Sequence, residues 1–128
     1  MDMQQRAELA VSLKQQGYNC CQAVTAALGD LTDLSPEQLK QLAAGFCVGM
    51  GTMEATCGAL IGAGMIAGLA TGGNRTVQYT KQLSRLFRDK CGAITCMDLK
   101  GVKTGEVLCP CPECIRNAVM AYGEVMGL

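Results

Sequence analysis

Cysteine is the residue type through which this chain could do chemistry. Nine of its 128 residues are cysteine, and none is histidine. The lack of histidine excludes histidine acid–base catalysis, a serine–histidine triad and haem attachment through Cys-x-x-Cys-His. The odd cysteine count and the absence of a signal-peptide pattern at residues 1–6 predict a reducing, cytoplasmic setting. Cysteines there serve metal binding or redox chemistry rather than a disulfide framework.

The densest cysteine cluster is the segment Cys109-Pro110-Cys111-Pro112-Glu113-Cys114. Its Cys-x-x-Cys spacing suits a metal knuckle or a redox pair. The cysteine spacings of ferredoxins and of zinc ribbons are both absent from the chain. Any metal site must therefore be assembled from distant parts of the sequence, and no catalytic residue can be assigned.

The overall composition narrows the classes of partner. The formal net charge is zero and the pI is about 6.2, so no basic surface for nucleic acid is expected. Residues 55–73 carry no charge, but they are diluted by glycine and lack aromatic or basic anchors, which favours a buried core helix over membrane insertion. A chain of this length with 49% hydrophobic residues predicts one domain spanning residues 1–128.

The apolar periodicity predicts an all-α fold, a compact bundle of about five to six helices around a glycine-rich central helix. Thr56 is expected to cap that central helix, which should end near Thr71. The third helix should bury Leu39, Leu42, Ala43 and Phe46. The remaining helices are predicted at about 2–16, 20–28, 75–90 and from Cys111 onward, with a short turn at 96–99.

Four cysteines fall at predicted helix N-termini, where free N–H groups and the helix dipole stabilise a thiolate and lower its pKa. Such a position also favours an anionic metal–sulfur centre. Cys21 lies on an apolar stripe and is interpreted as a core residue. Cys47, Cys91, Cys109 and Cys114 are secondary candidates. The four at helix starts are Cys20, Cys57, Cys96 and Cys111.

Glycine costs roughly 1 kcal/mol in a helix interior, so the glycine-rich stretch needs a reason. Close approach of another backbone or of a bound inorganic group is the expected reason. Gly58 and Gly62 are four residues apart on the central helix, and Gly49 and Gly51 lie in the bend before it. These four glycines are the candidates for backbone approach to a cluster.

Four spaced motifs occur along the chain: Asn19-Cys20-x-Gln22-Ala23-Val24, Cys57-Gly58-Ala59-x-x-Gly62-Ala63, Gly92-x-x-x-Cys96-x-x-Leu99 and Cys111-Pro112-x-x-Ile115-Arg116-x-Ala118. Taken together, they resemble the four-cysteine C_GCAxxG_C_C family over nearly all of the chain after Gly17. The resemblance implies a small helical prokaryotic protein with a redox centre, expected to be iron–sulfur. It also implies that the family's four cysteines correspond to Cys20, Cys57, Cys96 and Cys111.

Three functions remain open at this stage. The first is electron transfer through an iron–sulfur cluster, with an unidentified redox partner protein. The second is a metal-free thiol/disulfide oxidoreductase that uses Cys57 with a resolving cysteine, or the pair Cys111 and Cys114. The third is a structural or interaction module, stabilised by zinc or metal-free, in which the glycine-rich helix mediates self-association, for example as a homodimer. The extra cysteines would supply a second centre, replace a ligand or form a disulfide.

Overall fold

A computed structural model describes residues 1–128, and all of its regular structure is helical. The only β-type pairing is an isolated antiparallel bridge between Thr56 and Thr95. The all-α prediction is therefore confirmed, whereas five to six helices is too few, because the turn predicted at 96–99 is a separate α-helix and two further short helical segments occur at Gly29–Leu31 and Gly49–Met53. The seven α-helices are α1 (Met3–Gln15), α2 (Cys20–Ala27), α3 (Pro36–Leu42), α4 (Gly58–Thr71), α5 (Thr76–Cys91), α6 (Cys96–Lys100) and α7 (Cys111–Met126).

Side-chain caps define the first three helix starts. Asp2, Asn19 and Ser35 each accept a hydrogen bond from the backbone N–H three residues on, and each takes part in a complete capping box. These reciprocal bonds satisfy N–H groups that a helix start leaves free. Each cap signal lies within four residues of the chain, so starts of this kind can be read from the sequence.

The start of α4 differs from the prediction. Thr56 does not cap the helix; Cys57 occupies the N-cap position and α4 begins at Gly58. Thr56 is held instead by its pairing with Thr95. That pairing is a long-range contact, and its backbone geometry keeps Thr56 outside the helix.

The bundle has two central helices rather than one. The glycine-rich α4 packs against α2, α5 and α7, while α7 packs against α1, α2, α4 and α5. Ile66 of α4, Phe87 of α5 and Ile115 of α7 are completely buried and belong to the same hydrophobic core. No helix of the chain combines the length and the apolar character needed to cross a membrane.

The predicted apolar stripe of the third helix is only partly buried. Leu39 and Ala43 are buried, but Leu42 is 56% exposed and Phe46 lies beyond the helix. Since α3 spans only seven residues and packs mainly against α2, just one side of it reaches the core.

A buried arginine joins α1 to the end of α2. Nη1 of Arg6 donates to the carbonyl of Ala27 at 3.0 Å and forms an ion pair with Asp30. A buried charge is tolerated only when its donors find partners. This contact fixes α1 beside α2, the helix that begins with Cys20.

Candidate functional site

Cysteines from across the chain line one cavity of about 80 Å³. One water molecule needs roughly 10–15 Å³ on this measure, so the cavity can hold a larger group. It lies where α1, α2, α4, α6 and α7 meet. Seven of the nine cysteines are in its lining: Cys20, Cys47, Cys57, Cys96, Cys109, Cys111 and Cys114.

The four cysteines predicted from helix starts all lie in that lining. Cys20, Cys96 and Cys111 are the first residues of α2, α6 and α7, and Cys57 immediately precedes α4. Positions as far apart as residues 20 and 111 thus meet at a common space.

Backbone pairing holds Cys57 and Cys96 side by side. The N–H of Cys57 donates to the carbonyl of Ile94 at 2.8 Å, and the N–H of Cys96 donates to the carbonyl of Ala55 at 3.1 Å. These two bonds flank the bridge between Thr56 and Thr95. The starts of α4 and α6 are therefore tied together independently of any side chain.

A left-handed bend forms another wall of the cavity. Val48, Met50 and Met53 have φ values of 52°, 58° and 64°, which are costly for residues with a Cβ. The bend is held by a 2.9 Å hydrogen bond from the N–H of Met53 to the carbonyl of Val48. Val48 itself lines the cavity, so the bend contributes directly to the cysteine site.

The four candidate glycines play different parts. Gly58 lines the cavity, and a Cβ there would lie 2.7 Å from Cys20 Sγ and closer still to the Phe46 carbonyl oxygen. A Cβ at Gly49 would lie 2.9 Å from Cys96 Cβ. Close approach therefore explains both residues.

Close approach to the cavity does not explain the other two glycines. Gly51 has no heavy atom within 4 Å of its would-be Cβ, and its φ of 79° accounts for glycine there. Gly62 is absent from the cavity lining and faces α2, where a Cβ would lie 3.0 Å from the Cys21 carbonyl oxygen. Its role is to bring α4 against α2.

Hydrogen bonds between thiols shift three of the pKa values at the cavity. The Cys20 thiol lowers the pKa of Cys111 to about 7, with Lys14 and Lys100 lowering it further against the effect of burial. The same hydrogen bond, together with burial, raises the pKa of Cys20. Hydrogen bonding with Cys114 lowers the pKa of Cys57.

The prediction that helix starts lower the pKa of all four thiols is therefore wrong for two of them. The pKa of Cys20 is raised as above, and burial raises the pKa of Cys96. Backbone N–H groups of Ala59 and Leu60 do favour the Cys57 thiolate, although hydrogen bonding with Cys114 has the larger effect. Burial and sulfur–sulfur contacts outweigh the helix terminus here.

A tighter sulfur cluster lies beside the cavity and consists of Cys91, Cys109 and Cys114, called the thiol trio below. Their three Sγ atoms lie within 4.8 Å of one another, and all three residues are buried. Cys109 and Cys114 also line the cavity, whereas Cys91 does not. A trio of close thiols can bind a metal ion.

The thiols of the trio titrate very differently. Hydrogen bonding with Cys114 lowers the pKa of Cys91 to about 6, with Asn117 contributing further. Burial raises the pKa of Cys109 to about 11. Hydrogen bonds to Cys57 and Cys91 raise the pKa of Cys114. All nine cysteines are free thiols.

Cys21 lies apart from both groups. It is fully buried, and its thiol donates to the Met65 sulfur at 3.9 Å, with burial raising its pKa to about 12. This placement agrees with its interpretation as a core residue.

Three residues at the candidate site were not found by sequence reasoning. Lys14 and Lys100 line the cavity, which contains no acidic side chain, and Asn117 Nδ2 donates to Cys91 Sγ at 3.3 Å. A helical signal existed for two of them, because Lys100 is four residues after Cys96 and Asn117 is three after Cys114. For Lys14 the chain offers no such local signal.

Comparison with protein-family models finds a match over most of the chain. A family model described as "Putative redox-active protein (C_GCAxxG_C_C)" matches residues 18–125. Comparisons with the curated proteins and with the solved structures find no significant match. The match runs from just before Cys20 to the end of α7 and so includes every cysteine described above. The chain therefore belongs to the C_GCAxxG_C_C family of redox-active proteins.

Proposed function

We propose that this protein is an electron carrier whose cavity binds an iron–sulfur cluster through Cys20, Cys57, Cys96 and Cys111. The observation that carries the proposal is the convergence of these four thiols, from four different helix starts, on one cavity. Membership of a redox-active family agrees with it.

The donor set of the cavity fits such a cluster. Iron–sulfur clusters are bound mainly by cysteine thiolates, and the lining offers seven thiols but no carboxylate or imidazole. Because Gly58 has no Cβ, its backbone can lie close to Cys20; a Cβ at this position would collide with neighbouring atoms. Lys14 and Lys100 supply positive charge, which stabilises an anionic centre.

In this proposal the protein binds, positions and shields the centre. When bound, an iron–sulfur cluster supplies one-electron transfer. Buried Cys20, Cys57 and Cys96 keep water away, while half-buried Cys111 lies at the more accessible side. Cys47, also half-buried, is a spare donor in the lining. A redox partner protein would approach from the Cys111 side, in the cytoplasm.

Anaerobic reconstitution with iron and sulfide tests the proposal. The wild-type protein is expected to gain visible absorption and an electron paramagnetic resonance signal on reduction or oxidation, with stoichiometric iron and sulfide. Cys57→Ser should lose most of the bound iron, because it removes a ligand at the cavity.

Cys21→Ala is the matched control, since Cys21 is a buried thiol outside the cavity. It should reconstitute as the wild-type protein does. A wild-type protein that stays colourless and binds no iron would refute the proposal, as would full iron content in Cys57→Ser.

One observation favours a second function, a metal-free thiol/disulfide oxidoreductase. The pKa of Cys111 is about 7, near the optimum for an attacking thiol, and Cys20 is its hydrogen-bond partner. The Cys111 thiolate would attack a substrate disulfide and release one substrate thiolate. Cys20 would then attack the mixed disulfide, releasing the second substrate thiol and leaving Cys20 joined to Cys111. Trapping of a mixed disulfide by Cys20→Ser in iron-free protein would support it.

A further inference from the structure

We infer that the thiol trio Cys91, Cys109 and Cys114 is a separate binding site for one zinc ion. The inference concerns residues outside the four family cysteines, and it does not depend on an iron–sulfur cluster being bound in the cavity. Three thiols that converge in a buried position provide the soft donors that zinc prefers.

The sulfur spacing is close to that of a zinc site. The three Sγ atoms lie within 4.8 Å of one another. Zinc–sulfur bonds of about 2.3 Å in a tetrahedron place the sulfurs about 3.8 Å apart. Contraction by about 1 Å at most is therefore needed, which small side-chain rotations can supply.

The backbone around the trio is already held in place. The N–H of Cys109 donates to the Leu99 carbonyl at 3.3 Å, and the N–H of Cys114 donates to the Pro110 carbonyl at 3.0 Å. Cys91 is the last residue of α5. The three ligands thus come from the end of α5, the loop before α7, and the first turn of α7, and a bound ion would join these segments.

Asn117 supplies the outer contact that a metal ligand commonly has. Its Nδ2 donates to Cys91 Sγ at 3.3 Å, and it lies one helical turn after Cys114. Such contacts orient a ligand and support metal affinity.

The fourth coordination position would lie on the side of the cavity. Cys109 and Cys114 are shared between the trio and the cavity lining, whereas Cys91 lies outside that lining. A water molecule from the cavity side would complete the tetrahedron, giving three protein ligands and one open position. Zinc has no redox chemistry, so the ion would stabilise the α5–α7 junction beside the redox centre.

Zinc stoichiometry and zinc-edge X-ray absorption test this inference. Two samples would be equilibrated with zinc and then desalted. One is the protein as isolated anaerobically, and the other is the same protein after reconstitution with iron and sulfide. We expect the wild-type protein to retain one more zinc per chain than Cys91→Ala, at about 2.3 Å from three sulfurs. Cys21→Ala should retain zinc as the wild-type protein does.

Asn117→Ala provides a second variant that leaves every thiol in place. It should weaken zinc binding about 10- to 100-fold in a chelator competition, without changing the iron content. Cys57→Ser should show the reverse pattern, with iron lost and the trio's zinc retained, so that failure of the cluster proposal and failure of the zinc inference are separable.

Four results would overturn the inference. They are equal zinc content in wild-type protein and Cys91→Ala, joint loss of zinc and iron in Cys91→Ala, binding of Cu(I) but not zinc by the trio, and a disulfide between trio residues in the anaerobically isolated protein.

Discussion

The cavity cysteines and the thiol trio are neighbouring sulfur groups that are positioned in different ways. Cys20, Cys57, Cys96 and Cys111 are placed by helix starts and by backbone pairing around an open space. The trio instead has its sulfurs within 4.8 Å of one another, with the Cys114 thiol donating to the Cys109 carbonyl and Asn117 donating to Cys91 Sγ. A cavity between preset backbones suits an inorganic group, whereas close thiols suit a single ion.

Cys114 connects the two groups. It lines the cavity and belongs to the trio, and its interactions with Cys57 and Cys91 raise its pKa. A charge on one group therefore shifts the pKa values of thiols in the other group. Variants that affect only one group are needed to separate them, and the chain offers such variants with matched controls.

Gly58→Ala should have the largest effect and should act on the cavity alone. The added Cβ would come within 2.7 Å of Cys20 Sγ and against the Phe46 carbonyl. Overpacking of this kind costs about 1–3 kcal/mol of stability. Urea unfolding would measure that loss, and iron content after reconstitution should fall with it.

Gly64→Ala is the control for that variant. It lies on the same helix, but its Cβ would meet only Thr80 Cγ2, at 3.5 Å. Its stability should be unchanged or higher by up to roughly 1 kcal/mol, because alanine favours the helix. Equal behaviour of the two variants would show that the Gly58 contact does not shape the cavity.

The pH dependence of stability should distinguish the two groups in metal-free, reduced protein. Cys91 and Cys111 have pKa values of about 6 and about 7, below the ordinary thiol value near 8.5. Between these limits the unfolded chain holds protons that the folded chain has lost. Stability should therefore rise with pH, by up to about 1.4 kcal/mol per unit for each thiol, and this gain is lost as pH falls through 7 and 6.

Above the ordinary thiol pKa, stability should fall as the pH rises. The raised pKa values of Cys20, Cys109 and Cys114 stabilise the fold only until the unfolded chain begins to lose these protons. Denaturant unfolding at a series of pH values measures both limbs. Cys91→Ala should flatten the curve between about pH 6 and 7, whereas Cys111→Ala should leave that part and reduce the slope above it. Identical curves for both variants would contradict the assignment.

Asn19→Ala should have the smallest effect, a loss of about 1 kcal/mol from an N-cap. Asn19 caps α2 immediately before Cys20 and also donates to the Ala44 carbonyl at 3.1 Å. Asp2→Ala removes the equivalent cap of α1, far from the cavity. Both variants should lose similar stability in urea unfolding, but only Asn19→Ala should lower iron incorporation. Equal iron content in the two would show that the α2 cap does not position Cys20.

Local patterns predict much of this fold. The caps at Asn19 and Ser35, the stop at Gly72 and the buried positions Leu83 and Ile115 all follow from signals within a few residues. Local signals do not predict that Leu42 is exposed or that Thr56 fails to cap α4. Each depends on which segment lies opposite, and no neighbouring residue encodes that information.

The candidate site also has a part that the sequence predicts and a part that only the structure reveals. Helix-start positions and the family resemblance selected Cys20, Cys57, Cys96 and Cys111, and these residues line one cavity. The same reasoning ranked Cys91, Cys109 and Cys114 second, although they form the tightest sulfur group. Their proximity arises from the packing of α5 against α7 and could not be read from spacing.

By itself, the sequence determined the sulfur chemistry, the all-helical class and the positions of most helix ends, because composition and capping act within one or two helical turns. The tertiary structure alone decided which thiols lie close together, which glycines touch another backbone, and that Asn117, Lys14 and Lys100 lie at the site. Those properties depend on distances between segments that are remote along the chain, and helix packing sets such distances.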